Sequence, residues 1–144
     1  MRYIFRGLIN SESWGTDQVM PDDGTWVYGD LQSHDDMTWV NGRLVDPHTI
    51  GIGTGLRDKN GKQMFEGDIV AVDGDAIAQI VWHEYLCQFY LCFGHDIVQK
   101  KTDSKASLGE MFYQYSHTFE VIGNLYDNPG LLPQKNPYLV AKRS

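Results

Sequence analysis

The sequence predicts a mostly β fold with one short α-helix. Three observations favour this class: apolar residues alternate with period two along most of the chain, turn-forming residues separate these segments, and only one segment spaces its apolar residues as a helix does. Apolar residues make up 42% of the chain and charged residues 22%, which is typical of globular proteins. A chain of 144 residues is also long enough to bury a core.

The first fifty residues are expected to form an N-terminal β-hairpin region. A short strand at 3–6 opens the chain, and a second strand at 25–31 is rich in aromatic and branched residues. The segment 37–45 is the clearest hairpin, because Asn41 and Gly42 lie at its centre and both accept the positive φ of a type I′ turn.

A capped turn and a glycine-rich segment follow this hairpin. Asp46 is placed to cap a single helical turn that begins at Pro47, whose φ suits the first helical position. Gly51, Gly53 and Gly55 then predict a loop. No Lys-Ser or Lys-Thr pair follows the last glycine, so the loop lacks what a phosphate-binding P-loop requires.

The second half of the chain contains four further predicted strands, at 68–72, 76–82, 88–93 and 119–124. The first two flank Asp-Gly-Asp at 73–75, a turn sequence that predicts an antiparallel hairpin. The third strand is almost continuously apolar, which indicates burial on both faces or one face covered by another element.

The one predicted helix lies near residues 107–115. Ser107 and Glu110 have the spacing of a capping box, in which each side chain bonds a backbone N–H group of the first turn. Four apolar residues then fall on one helical stripe that is expected to pack on the sheet: Leu108, Met111, Phe112 and Tyr115.

Net charge, the length of apolar runs and cysteine content limit the protein classes and cellular compartments that fit this chain. The net charge is −7, and an acidic chain repels phosphate backbones, which weighs against nucleic-acid binding.

No apolar run is long enough for a membrane span, and Arg6 interrupts the stretch that a signal peptide would need. Cys87 and Cys92 are too few for a zinc site and are expected to be buried thiols in a reducing cytoplasm.

The candidates for catalysis are two carboxylates and two histidines. Glu66 and Asp68 share strand parity and would form a small hydrolase site if His48 or His83 joined them. The structural alternative is that the chain bends at Gly67 and a carboxylate accepts backbone N–H groups there. The five histidines have no metal-ligand spacing, so no metal and no cofactor are expected.

The candidates for binding are aromatic and charged. Trp26 and Tyr28 share parity on one strand, and Trp39 lies on the next predicted strand, so the three form either core or an exposed binding platform. Arg57 and Asp58, which begin the turn after the glycine-rich segment, are further binding candidates.

Several motifs together resemble one known family. The central stretch reads TGLRDKNGK followed by FEGDIV, the segment VDPHTIG precedes it, and FEVIGNLYDNP closes the pattern. These stretches, with IFR near the start and WVYGDL in the early strand, resemble the YopX family of small phage and prophage proteins. They occupy residues 4–6, 26–31, 45–51, 54–62, 65–70 and 119–129.

The resemblance implies a small SH3-like barrel with the one helix at 51–130, beside the hairpin region at 1–50 and a C-terminal tail at 131–144. It also implies a bacterial cytoplasmic setting and no established enzyme activity. We therefore expect a noncatalytic accessory module that binds a protein partner or itself, and unpaired strand edges favour a homo-oligomer. A nucleic-acid-binding SH3-like barrel and a small hydrolase that uses Glu66 and Asp68 are the alternatives.

Overall fold

The fold is seen in a computed structural model, which describes residues 3–14, 19–93, 106–114 and 117–132. The mostly β class is confirmed, because antiparallel strands account for most of the regular structure in these residues. The chain divides into two compact units, Met1–Gly55 and Leu56–Ser144.

In the first unit, strand β1 (Phe5–Leu8) lies between β2 (Trp26–Gly29) and the start of β6 (Gly51–Arg57), antiparallel to both. The prediction of a loop at Gly51, Gly53 and Gly55 is therefore wrong. Gly51 pairs with Arg6 of β1 in an extended strand, and Gly55 has a φ of 81°, a conformation that favours glycine.

A three-stranded antiparallel sheet completes the first unit, in the order β3 (Leu31–His34), β4 (Met37–Val40) and β5 (Arg43–Leu44). The predicted hairpin between β4 and β5 is confirmed. Asn41 has a φ of 50° and Gly42 a φ of 74°, and a type I′ turn needs positive values at both positions.

Three buried residues form the core of this unit: Ile9, Val40 and Val45. The predicted cap beside them is also confirmed, since Asp46 accepts the backbone N–H of His48 at 2.9 Å and Pro47–Thr49 forms one 3₁₀ turn. The half-buried residues that pack against this core are Phe5, Val27, Leu31 and Ile50.

The second unit is built on a five-stranded antiparallel sheet in the order β11-β10-β9-β8-β12. Four of the five strands were predicted with bounds that differ by no more than one residue. Within the described residues the sheet is open and does not close into a barrel. The strands are β7 (Gln63–Phe65), β8 (Asp68–Val72), β9 (Ala76–His83), β10 (Gln88–Phe93), β11 (Ala106–Ser107) and β12 (Phe119–Asn124), of which β7 lies outside this sheet.

The core of the second unit lies on one face of this sheet. All five residues of β8 are buried, which matches the apolar run in its sequence. The fully or almost fully buried members of the core are Met64, Val70, Val72, Ala78, Ile80, Leu91, Leu108 and Phe119.

The helical segment at 108–114 differs from the predicted α-helix. Its greater part, Glu110–Gln114, is a π-helix, in which the backbone bonds span five residues. The serine half of the capping box is present, since Ser107 Oγ accepts the Glu110 N–H at 3.4 Å. So short a helix depends on packing, and here the Phe112 ring stacks on Phe119 with centroids 5.9 Å apart.

Two parts of the sequence analysis lie outside the described residues: Tyr115 and the tail beyond Leu132. Among the residues that the structure does describe, no helix is both long enough and apolar enough to cross a membrane.

The first unit should not tolerate a side chain at Gly7. A Cβ atom there would lie 2.7 Å from Val45 Cγ2, and Val45 is fully buried. We expect Gly7→Ala to lower the free energy of unfolding by about 1–3 kcal/mol in chemical denaturation, as overpacking does. Gly130→Ala is the matched control, because within the described residues, its two chain neighbours aside, no atom lies within 4 Å of its added Cβ. Equal stability of the two variants would contradict this close packing.

Candidate functional site

Asp58 ties the turn after β6 to the closing strand. Its Oδ1 accepts the backbone N–H groups of Asn60 at 2.9 Å and Lys62 at 2.8 Å, and its Oδ2 accepts the N–H of Val121 at 2.9 Å. The residue is only 7% exposed. In the same turn, the Lys59 N–H donates to the carbonyl of Phe119 at 2.9 Å. The sequence predicted the turn, but not its attachment to β12.

These hydrogen bonds lower the pKa of the Asp58 carboxyl. Burial alone raises that pKa, because it disfavours the charged form. The three backbone donors, of which Val121 is the strongest, and the positive charge of Lys62 together outweigh burial, so the pKa lies below its ordinary value. Asp58, predicted as a binding residue, thus has a clear structural role.

A shallow depression of about 200 Å³, which we call the Arg57 depression, lies beside this turn. Arg57 is held across the turn because its Nη1 donates to the carbonyl of Gly61 at 2.7 Å. Lys59 Nζ lies 3.3 Å from Oε2 of Glu120. The residues that line the depression are Arg57, Asp58, Lys59, Phe112, His117, Thr118 and Phe119.

A histidine–aspartate pair adjoins the same depression. Nδ1 of His117 lies 2.5 Å from Oδ2 of Asp73, and Oδ1 of Asp73 accepts the backbone N–H of Thr118 at 2.9 Å. The Thr118 N–H, with the His117 ring, holds the pKa of the Asp73 carboxyl below its usual value. The sequence analysis missed this pair, since 44 residues separate its members.

The predicted catalytic residues occupy different surroundings. Asp68 is 1% exposed, and its Oδ2 accepts the Phe65 N–H at 2.7 Å across the bend at Gly67, whose φ is 91°. The structural alternative for this bend is thereby confirmed. Glu66 lies in the turn before β8, so the expected shared strand parity of Glu66 and Asp68 is wrong.

The two predicted histidines lie on different elements. His48 lies in the 3₁₀ turn of the first unit. His83 ends β9, and its Nδ1 accepts the Leu86 N–H at 3.3 Å. Among the residues that can be placed, no three His, Cys, Asp or Glu side chains come together as metal ligands would.

The predicted aromatic platform is divided between two sheets. Trp26 and Tyr28 share one face of β2, as expected, and the Arg6 guanidinium lies 4.8 Å from the centroid of the Trp26 ring. Trp39 lies in β4 of the other sheet, opposite Leu44. Trp26 and Trp39 are half-buried, whereas Tyr28 is 46% exposed. The pair on β2 therefore lies on the face opposite Val27, which packs against the core, and Trp26 is covered by Arg6.

The hairpin of β9 and β10 exposes three large apolar side chains at its tip. Tyr85 is 95% exposed, Leu86 53% and Trp82 40%. We call these three residues the hairpin patch. Their sequence neighbourhood is unusual for a surface, since Glu84 is the one charged residue between Ala76 and Phe93.

Ring contacts hold the base of the hairpin patch. Trp82 meets Phe89 edge to face across the two strands, with centroids 4.9 Å apart. On the opposite face of the hairpin, His83 lies 5.4 Å from the ring of Tyr90. Cys87, expected to be buried, is exposed in the turn, whereas Cys92 is buried in β10, and neither forms a disulfide.

These features define a class: a small protein of mostly antiparallel β structure. The family model described as YopX protein matches residues 15–133 of the chain. The chain therefore belongs to the YopX family, as the motifs indicated. Among curated proteins, none matches it.

The role of Asp58 can be tested through stability. We expect Asp58→Asn to lower the free energy of unfolding by about 1–3 kcal/mol at neutral pH, because an amide cannot accept three buried N–H bonds. The folded-state pKa is depressed, so this stabilisation is complete above the ordinary carboxyl value of 3.8 and is lost as pH falls through the folded value.

Denaturant titrations between pH 7 and pH 3 measure this difference. Asp75→Asn is the matched control, since Asp75 is an exposed carboxylate of the same unit. A gap between the wild type and Asp58→Asn that does not narrow on acidification would contradict the role assigned to the charge.

Proposed function

We propose that this YopX-family chain is a noncatalytic module that binds a protein through the hairpin patch. The observation that supports this is the exposure of Trp82, Tyr85 and Leu86 together on one hairpin tip. Tyrosine and tryptophan supply much of the binding energy at protein interfaces, because they bury a large area with little loss of side-chain freedom.

The charge distribution supports the same surface. The chain carries a net charge of −7, yet its 18 residues from Ala76 to Phe93 include a single charged one. Protein interfaces are depleted of charge at their centre and enriched in aromatic residues. A partner with an apolar cleft would bury this tip without desolvating an ion pair. We also propose a second copy of the chain as a partner, with the exposed Glu84 of the tip at the rim of the interface.

The finer fold assignment belongs with this proposal. In β8 to β12, four consecutive strands lie side by side and the fifth returns beside the first, with a short helical segment before it. This is the strand order of an SH3-like barrel, and it supports that relationship for the second unit. We likewise propose a phage or prophage origin and a bacterial cytoplasmic setting, which rest on the family.

The two alternative functions have less support. Nucleic-acid binding needs a basic face, and the chain is acidic overall. A hydrolase needs an activated group near Glu66 and Asp68, but the Asp68 carboxylate accepts a backbone N–H at a bend. The hairpin patch, in contrast, is already exposed for binding.

Photo-crosslinking tests the binding surface directly. We expect Tyr85→p-benzoylphenylalanine, expressed in host cells in which the phage genes are induced, to give one discrete protein adduct. Tyr113→p-benzoylphenylalanine is the matched control, because Tyr113 is 73% exposed in the same unit but lies outside the patch. Adducts that are absent at both positions, or identical at both, would contradict the proposal.

The identified partner then allows a quantitative test with purified proteins. We expect Tyr85→Ser with Leu86→Ser to weaken its binding by more than about tenfold, as loss of interface anchors does. The stability of this double variant should stay within about 0.5 kcal/mol of wild type, since both side chains are exposed. Unchanged affinity would show that the patch is not the interface.

A further inference from the structure

The Arg57 depression combines positive charge with an apolar floor. Among the lining residues that the structure describes, Arg57 and Lys59 are basic and Asp58 is acidic. Both oxygens of that carboxylate already accept backbone N–H groups, which offset its charge. Among the described residues, Arg57 bonds a neutral carbonyl rather than a carboxylate, which makes it the main cation of the depression.

The cationic groups are held in place by contacts at the edge of the depression. Arg57 uses one nitrogen for the Gly61 carbonyl, and a guanidinium has five N–H donors in all. Lys59 is held by Glu120 at 3.3 Å and His117 by Asp73 at 2.5 Å, and Glu120 offsets part of the charge of Lys59. Positioned donors lose little freedom when an anion binds.

The apolar floor of the depression favours an anion that is attached to an apolar group. Phe112 is half-buried and Phe119 is 2% exposed, and their rings stack at an angle of 16°. The volume of about 200 Å³ is below the roughly 300–1,000 Å³ of pockets for cofactors and drug-sized ligands. It suits a group about as large as one amino-acid side chain.

We propose that the Arg57 depression binds a carboxylate attached to a single apolar group, with Arg57 and Lys59 on the carboxylate and Phe112, supported from below by the buried Phe119, under the apolar group. The C-terminal residue of a peptide and a small free carboxylic acid share this chemistry. The site is separate from the hairpin patch, so either proposal can fail without the other.

Titration of the whole ¹⁵N-labelled chain with N-acetyl-L-phenylalanine tests this site by NMR. We expect the amide signals of Arg57 to Lys59 and His117 to Phe119 to shift at millimolar ligand. N-acetyl-L-phenylalanine amide, which lacks the charge, should bind at least about tenfold more weakly, since charge-assisted hydrogen bonds are lost. Equal binding of acid and amide, or no shifts with the acid, would overturn the proposal.

Two variants test whether Arg57 and Lys59 bind the carboxylate of the ligand. Arg57→Gln should weaken binding of the acid about tenfold, and Lys59→Gln should also weaken it. Lys59→Gln becomes the decisive variant if loss of the Gly61 contact unfolds Arg57→Gln. Arg43→Gln, which removes the same charge from the first unit, is the control and should bind as wild type does. Unchanged binding in a folded Arg57→Gln or Lys59→Gln chain would overturn the assignment.

A short peptide that ends in phenylalanine distinguishes the two sources. Tighter binding of this peptide than of the free acid, lost on amidation of its C terminus, would identify a peptide end as the ligand. Equal affinity of the peptide and the free acid would identify a small carboxylic acid. Failure of both to bind would overturn the proposal but leave the crosslinking result at Tyr85 unaffected.

Discussion

One buried carboxylate organises the second unit. Asp58 accepts three backbone N–H groups, two from its own turn and one from Val121, which lies 63 residues further along the chain. A buried carboxylate or backbone N–H group without a hydrogen-bond partner lowers the stability of the fold, so the turn and β12 depend on one another. Three neighbouring features depend on this contact for their position. They are the Arg57 guanidinium across the turn, the Lys59 backbone on β12, and the depression that these elements surround.

The same device recurs at the other turns of this unit. Asp68 closes the bend before β8, Asp73 holds the start of β12, and Asn124 accepts the N–H groups of Tyr126 at 2.9 Å and Asp127 at 2.8 Å. Short acidic and amide side chains are suited to this role because they reach backbone donors two or three residues away. Part of the acidic character of the chain therefore serves its shape.

Sequence patterns predicted the elements that alternate and are bounded by turns. β8, β9, β10 and β12 were predicted because glycine-containing turns or polar segments bound them, and the Asn41-Gly42 hairpin because its turn chemistry is specific. β6 was missed because its glycines indicate a loop when pairing with β1 is unknown. The His117–Asp73 pair and the Arg57 depression join distant segments, so local patterns carry no signal for them. The hairpin patch was missed for another reason: a period-two apolar run looks the same whether its end is covered or exposed.

The attachment of the Asp58 turn has a consequence for how the protein avoids aggregation. β12 is the outermost strand of its sheet, and such strands can template pairing with other chains and so begin fibril growth. Here the carbonyl of Phe119 and the N–H of Val121, which would invite that pairing, are already bonded by Lys59 and Asp58. The turn that shapes the depression therefore also protects the sheet from adding foreign strands at this edge.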